Sequence, residues 1–300
     1  MKVALIKDNS APFDTRNWHD IYAEHFRDMG VSTVFLDPNK SSFIDDAVST
    51  ACGAYLWRVW HVPQDRIDAT RKIRFLEKEC GLLMFPTHRM LEDYDDKASE
   101  LFFMRKQKYP IPETFFTRSS EEAKDYCQTC ALPIVSKAYD GASGDNVRLL
   151  NNRDSLISHV NDAFSQTGIK THFSGSVQQG YIFLQKYIPC KKDMKIIVIG
   201  EEVALSYWRK GLEWKHNISS GGSIDTTPIP EQAKQLAVQI TKDLKYDWCG
   251  LDFIEHDNRI FLIEYGSMFA ITPRFIPIFG SIDADMLRKQ CELVVKRIKK

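Results

Sequence analysis

The chain is poor in the features that mark specialised classes. Its 300 residues include only seven cysteines, an odd number without regular spacing. A single CxxC, Cys127 and Cys130 within "DYCQTCALP", has no second pair to complete a structural zinc site, so an ordinary reduced helix end is expected there. Long apolar runs are also missing. The opening "MKVALIKDNS" holds a short apolar run, too brief for a signal peptide, and no stretch approaches bilayer-spanning length. Charge excess of either sign is absent, with 40 basic and 40 acidic side chains, which gives no support for a nucleic-acid partner. No Gly-Lys-Ser/Thr occurs, which excludes a Walker loop, and there is no internal repeat. These absences predict a soluble cytoplasmic protein that neither enters a membrane nor binds nucleic acid.

What remains is ordinary globular composition, 43% hydrophobic and 27% charged, over a length beyond one hydrophobic core. Two or three subdomains of mixed α/β (α+β) class are expected. Strand-like "KVALI", "VSTVFLD", "GAYLWRVW" and "LLMFP" alternate with helix-like "NWHDIYAEHFRDMG" and "DRIDATRKIRFLEKECG". That pattern predicts a small parallel βα sheet over residues 1–94. A second segment, 95–186, opens with a helix over 95–109 and carries the strands "PIVSKAYD" and "YIFLQKYI" around the helix near "RDSLISHVNDAF". The third, 187–300, contains the hairpin "MKIIVIGEEVALSYWRK", the helix "IPEQAKQLAVQITKDLKY", a second hairpin and a closing basic helix. The lysines of that last helix read as a solvated face ahead of a site for an acidic partner.

The second hairpin, "GLDFIEHDNRIFLIEYGS", carries the sharpest signal. A three-residue loop at Asp257-Asn258-Arg259 would set Asp252 directly across from Glu264, on one face and roughly 5 Å apart. At an effective dielectric of about 20 their repulsion costs about 3 kcal/mol. Either neighbouring lysines neutralise an exposed pair, or the two carboxylates share a hard cation such as Mg²⁺, which takes few protein oxygens and is completed by substrate phosphates. In "PIVSKAYDGASGDNV", Lys137 ends a strand and faces a loop with Gly141, Ser143 and Gly144. Glycines let backbone N–H groups approach phosphate oxygens, and the lysine adds a fixed charge; an ordinary turn is the alternative. Lys97, at a helix start, suits an anion or is a plain surface lysine. "SYWRKGLEWKHNISSGG" packs Arg209, Lys210, Lys215 and Asn217 beside Gly221 and Gly222, either a mobile basic loop or a cradle for phosphate or oxyanion charge.

In this order the stretches resemble the ATP-grasp superfamily, and within it the RimK-like carboxylate–amine ligases that join amino acids or glutamate. The resemblance covers about residues 95–270. It implies an ATP-grasp fold: the N-terminal βα sheet followed by two α+β subdomains clasping the nucleotide. It also implies ATP with Mg²⁺ or Mn²⁺ as cofactors. "DDKASELFFMRKQKYPIPETFF" resembles the family's first nucleotide segment, with Lys97 as its ATP lysine. Lys137 and the loop of Gly141, Ser143 and Gly144 resemble the second. "FLQKYIP" resembles the adenine hinge, implying that Gln185, Lys186, Tyr187 and Ile188 flank the base. Asp193 then falls near the ribose, Lys195 stands where an arginine is usual, and Arg209 keeps the reactive arginine. "WKHNISSGG" resembles the loop supplying Lys215, Asn217, Gly221 and Gly222. Asp252 and Glu264 match the metal hairpin. The family's third metal ligand, an asparagine, is Gly266 here; a water or Ser267 could take its place.

The implied reaction is amide formation through an acyl phosphate on an amino acid or peptide. Arg209, Lys215 and Asn217 are the candidate catalytic groups; Arg58, Gly221, Gly222 and Ser267 are the candidates for substrate, Arg58 being equally readable as a surface residue. A phosphotransferase acting on a hydroxyl, or a weakly active nucleotide-binding relative, remains open because of Gly266 and Lys195. The aromatic tail after Ser267, with Trp208 and Trp214, reads either as an apolar acceptor wall or as core. Homo-oligomers are common among relatives and stay open here.

Overall fold

Apolar runs buried on both faces place the N-terminal strands inside a parallel sheet. In the computed structural model β1 (Lys2–Ile6) is buried from Val3 onward, and β3 (Ala54–Trp57) along its whole length. With β2 (Ser32–Leu36) and β4 (Met84–Phe85) they pair in the order β2-β1-β3-β4. The structure describes residues 1–7, 17–139, 141, 144, 146–211, 214–216, 221–269 and 282–300. α1 (Trp18–Asp28), α2 (Phe43–Thr50) and α3 (Pro63–Lys78) connect the strands. α1 stops before Gly30, whose φ of 70° a side chain would resist. The eight-residue α2 was not evident in the sequence, being too short to register a period.

α4 (His88–Glu92) and α5 (Lys97–Lys106) lead to a second, antiparallel sheet. Asp96 caps α5, accepting from the backbone N–H groups of Ala98 and Ser99 at 3.1 and 3.2 Å. The sheet contains β5 (Thr114–Thr117), β6 (Ile134–Lys137), β7 (Val147–Leu150) and, after the small ladder of β8 (Ile169–Lys170) and β9 (Val177–Gln178), β10 (Ile182–Lys186). Its order is β5-β10-β6-β7. α6 (Ser120–Thr129) and α7 (Arg153–Ala163) belong to the same lobe. Cys127 and Cys130 end α6 as buried free thiols, and Arg153 donates to the carbonyl of each.

The third sheet holds β11 (Asp193–Ile199), β12 (Glu202–Lys210), β13 (Ser223–Asp225), β14 (Trp248–His256) and β15 (Arg259–Gly266) in the antiparallel order β13-β12-β11-β14-β15. α8 (Glu231–Leu244) precedes β14, and α9 (Ile282–Ile298) ends the chain. One large core joins Val3, Trp18 and Phe26 near the start to Ile196 and Phe253 of this sheet and to Cys291 and Val294 of α9. Tyr22 donates to Gln290 across it at 2.6 Å. The central sheet has a separate core, from Ala123 to Leu184. Among the described residues no helix is long and apolar enough to cross a membrane.

The acidic hairpin corrects one expectation. Its turn has two residues, not three: His256 pairs with Arg259, and Asp257 and Asn258 take φ of 48° and 59°, the left-handed geometry of a tight hairpin turn. Asp252 nevertheless faces Glu264, because Phe253 pairs with Leu262 and the extra residue, Ile263, forms a bulge.

Candidate active site

The hairpin turns Asp252 and Glu264 into a cleft between the central and C-terminal sheets. Lys97, Lys137, Gly141, Gly144, Gln185, Lys186, Tyr187, Ile188, Asp193, Arg209 and Lys215 line the same cleft. Residues scattered over the chain thus converge on one hollow. Arg58, Gly221, Gly222 and Ser267 do not line it. Arg58 lies 4.1 Å over the Trp18 ring and donates to the Phe269 carbonyl at 2.5 Å, a structural clasp. Ser267 is fully buried and its hydroxyl has no hydrogen-bond partner among the described residues. Ser143, Asn217 and the tail segment 270–281 lie outside the described residues. Of the two tryptophans, Trp214 lines the cleft, whereas Trp208 is buried with its indole N–H turned to the Pro228 carbonyl.

The carboxylates are neutralised by neighbouring cations, of which Lys97 and Arg209 are buried and Lys195 is half-buried. Lys195 Nζ lies 3.0 Å and Arg209 Nη2 3.2 Å from Asp252 Oδ1. Arg209 also clasps Asp193 with two bonds, at 2.6 and 2.9 Å. These contacts follow from register: Asp193 pairs with Arg209 on one side of β11, and Lys195 with Asp252 on the other. Despite the cost of burial, Arg209 and Lys195 hold the Asp252 carboxyl below its ordinary range. Glu264 is held low in the same way, chiefly by Lys97 at 3.3 Å.

Lys97 meets a second carboxylate, Glu100, at 3.6 Å. Burial works against its ammonium, but Glu100 and Glu264 outweigh burial and hold Lys97 charged. One cation cannot balance both acids. Glu100, 1% exposed, is pushed up to about 8 by burial, Lys97 opposing and Glu264 reinforcing. The deeper Glu100 is therefore the weaker acid of the two, and Glu264, whose side chain is 37% exposed, keeps its charge the more readily. Glu100 escaped the sequence reading, although a glutamate three residues beyond Lys97 on one helix face was a legible signal.

Lys137 differs from Lys97. It is 5% exposed and has no ion-pair partner among the described residues. Burial pushes it down to about 8, with Glu264 opposing and Lys97 reinforcing. A desolvated lysine facing an open cleft is a receptor for an incoming anion.

The hinge side is largely backbone. Gln185 turns its amide to Thr114 Oγ1 at 3.1 Å, and the Lys186 N–H is taken by the Glu113 carbonyl at 2.7 Å. Tyr187 and Ile188 follow along the wall of the cleft. Lys215 lines the cleft and donates to the Gly144 carbonyl at 2.7 Å, so it ties the two glycine-containing loops together. Missed in the sequence were the apolar walls, Val135, Val147, Ile254 and Ile263, and buried His216, which accepts from the Gly211 N–H at 3.0 Å. Isolated apolar residues in strands carry no mark of a binding wall.

The donor set fits a nucleotide-borne divalent ion. Two hard carboxylates face buried cations, and among the described residues no group of three or more acidic, His or Cys side chains could hold a metal alone. Ligands from phosphate would have to complete the shell. Gly266 leaves space: a Cβ added there meets only the Met268 carbonyl, at 3.7 Å.

The fold is of the ATP-grasp class. The chain belongs to the RimK-like ATP-grasp domain family, which it matches over residues 94–286. It is 23% identical over 192 residues to the α-aminoadipate–LysW ligase of Saccharolobus solfataricus, covering 63% of this chain and 67% of that one. It is 27% identical over 171 residues to a probable α-L-glutamate ligase of Haemophilus influenzae, covering 56% and 54%; the match thus spans about half of that relative. In three dimensions it resembles the D-alanine–D-alanine ligase of Bacillus anthracis solved with ATP, at TM-score 0.66 and 13% identity over 100% and 99% of the two chains.

Proposed function

We propose that the chain is an ATP-dependent carboxylate–amine ligase that forms an amide on an amino acid or peptide. The observation that carries this is the meeting of buried Lys137, without an ion-pair partner among the described residues, with the Asp252–Glu264 pair in one cleft. The names of the relatives, ligases of α-aminoadipate and of glutamate, support the substrate class.

A substrate carboxylate oxygen attacks the γ-phosphorus of ATP, the bond to the bridging oxygen breaks, and ADP and an acyl phosphate result. An amine then attacks the acyl carbon, inorganic phosphate leaves, and the nitrogen gives up a proton. The protein's part is positioning and charge neutralisation. Lys97 and Lys137 hold the α- and β-phosphates. Asp252 and Glu264 would hold Mg²⁺ or Mn²⁺, which when bound neutralises the outer phosphates. Arg209, kept rigid by Asp193, faces the transferring phosphoryl group. Lys215, which also holds the Gly144 carbonyl, and Asn217 serve the oxyanion and the acceptor carboxylate, and Ser143 the phosphates. Arg58, Gly221, Gly222 and Ser267 are left with supporting roles outside the cleft. The same reading divides the chain into residues 1–94, 95–186 and 187–300 and places it in the cytoplasm.

Gly266 sustains a second reading, phosphoryl transfer to a hydroxyl or weak turnover, because the described cleft offers only two acidic ligands. A screen of ADP release with amino acids in pairs separates the two. The ligase requires both partners and yields a product lighter than their sum by one water in mass spectrometry; ADP release with a hydroxyl compound and no amine overturns it.

A further inference from the structure

β6 serves two hollows. Lys137 lines the nucleotide cleft, whereas Ser136 and Ala138 line a second cavity, of about 250 Å³. Alternation along a strand sets these residues on opposite faces of the central sheet. The second cavity has three buried polar residues, Ser136, His159 of α7 and Gln178 of β9, exposed by 1%, 5% and 4%. Ser136 Oγ and His159 Nε2 lie 2.6 Å apart. Burial, followed by Arg148, pushes His159 down to about 4, so the ring is neutral near pH 7.

Two observations point to a ligand. Gln178 Nε2 is buried and has no hydrogen-bond partner among the described residues, although it belongs to a residue lining the cavity. An amide N–H pair left unsatisfied indoors asks for an acceptor. The cavity also carries exposed Arg148, Lys170 and His172, and no carboxylate among the described residues lines it. Donors inside and cations at the exposed positions, without a competing acid, suit an oxyanion.

We propose that this cavity binds a small oxyanion, phosphate or carboxylate, accepting from the Gln178 amide and paired with Arg148 and Lys170. The site adjoins the nucleotide loop through Asn146. The Asn146 side-chain oxygen accepts the His172 N–H at 2.7 Å, and its carbonyl accepts the Ala138 N–H at 3.1 Å. Its side chain also stands 3.0–3.1 Å from where a Cβ on Gly141 would lie. Gly141 lines the nucleotide cleft. An anion that orders Asn146 therefore bears on the phosphate loop, and nucleotide and anion change each other's affinity by the same factor.

Calorimetric titration of the full chain, its cleft saturated with AMPPNP and Mg²⁺, tests the site with sulfate and with succinate. Expected is one saturable site, weakened at least about tenfold in Gln178→Leu and in Arg148→Ala and retained in Asp252→Asn titrated without nucleotide. The exposed Arg148 variant stays informative if the buried Gln178 variant fails to fold. Preference for sulfate marks a phosphate-like ligand, and preference for succinate a carboxylate. Absence of saturable binding, which leaves only water on Gln178, overturns the site, as does binding unchanged in both cavity variants. Nucleotide affinity unaltered by saturating anion overturns the coupling through Asn146.

Discussion

Replacing Lys137 by methionine should move stability and function in opposite directions. Methionine keeps the length and apolar contacts of the lysine stem and removes only the ammonium. The drop of the lysine from 10.5 to about 8, driven first by burial, corresponds to about 3 kcal/mol of native-state stability given up near neutral pH. The sign follows from proton counting. Between about 8 and 10.5 the unfolded chain holds a proton on Lys137 that the folded chain has released. Stability therefore rises with pH across that window and is lowest, for this group, below it. Lys137→Met should accordingly melt several degrees higher at pH 7 without nucleotide, the gain shrinking toward pH 10.5. It should also lose most of the stabilisation that ATP gives the wild type, since a ligand bound to the native state alone adds RT ln(1 + [L]/Kd). Thermal melts of both proteins from pH 7 to 10, with and without ATP and Mg²⁺, measure all of this. A variant that melts lower than the wild type at pH 7, or is still fully stabilised by ATP, would refute the reasoning.

Three further outcomes are expected. Asp252→Asn leaves Arg209 its clasp on Asp193 but removes a proposed metal ligand, so ADP release should fall below about 1% of wild type; retention of more than half would exclude the assigned role. Gly266→Asn sets its Cβ at ordinary contact distance from the Met268 carbonyl and should tighten Mn²⁺ binding several-fold in the presence of AMPPNP, read by paramagnetic titration. Arg58→Ala removes the stacking on Trp18 and the bond to Phe269, and should cost about 1–2 kcal/mol in denaturant melts while KM for both substrates stays put. A tenfold rise in one KM at unchanged stability would return Arg58 to the substrate.

The periodic segments were legible because their burial is local. "KVALI" and the lysine-bearing helix after Asp96 needed only alternation, a cap and a turn signal. The pairing of Asp252 with Glu264 was reached through a loop one residue too long, offset by a bulge at Ile263. No glycine marks that bulge, so nothing in the residue string announced it. Contacts such as Lys97 with Glu264 and Lys195 with Asp252 join distant strands, and no local period encodes them. The family resemblance supplied the residues that converge; only the register of β11 between β12 and β14 explains why Arg209 stands between Asp193 and Asp252.

The separate oily interior of the middle lobe has a mechanical consequence. Its centre, from Ala123 to Leu184, shares no residue with the large core, and the links beside the cleft include two hydrogen bonds, from the Lys215 ammonium to the Gly144 carbonyl and from the Lys97 N–H to the Tyr139 carbonyl. If the lobe swings when nucleotide enters, those two bonds are the ones to break, and amide exchange at Lys97 would report it.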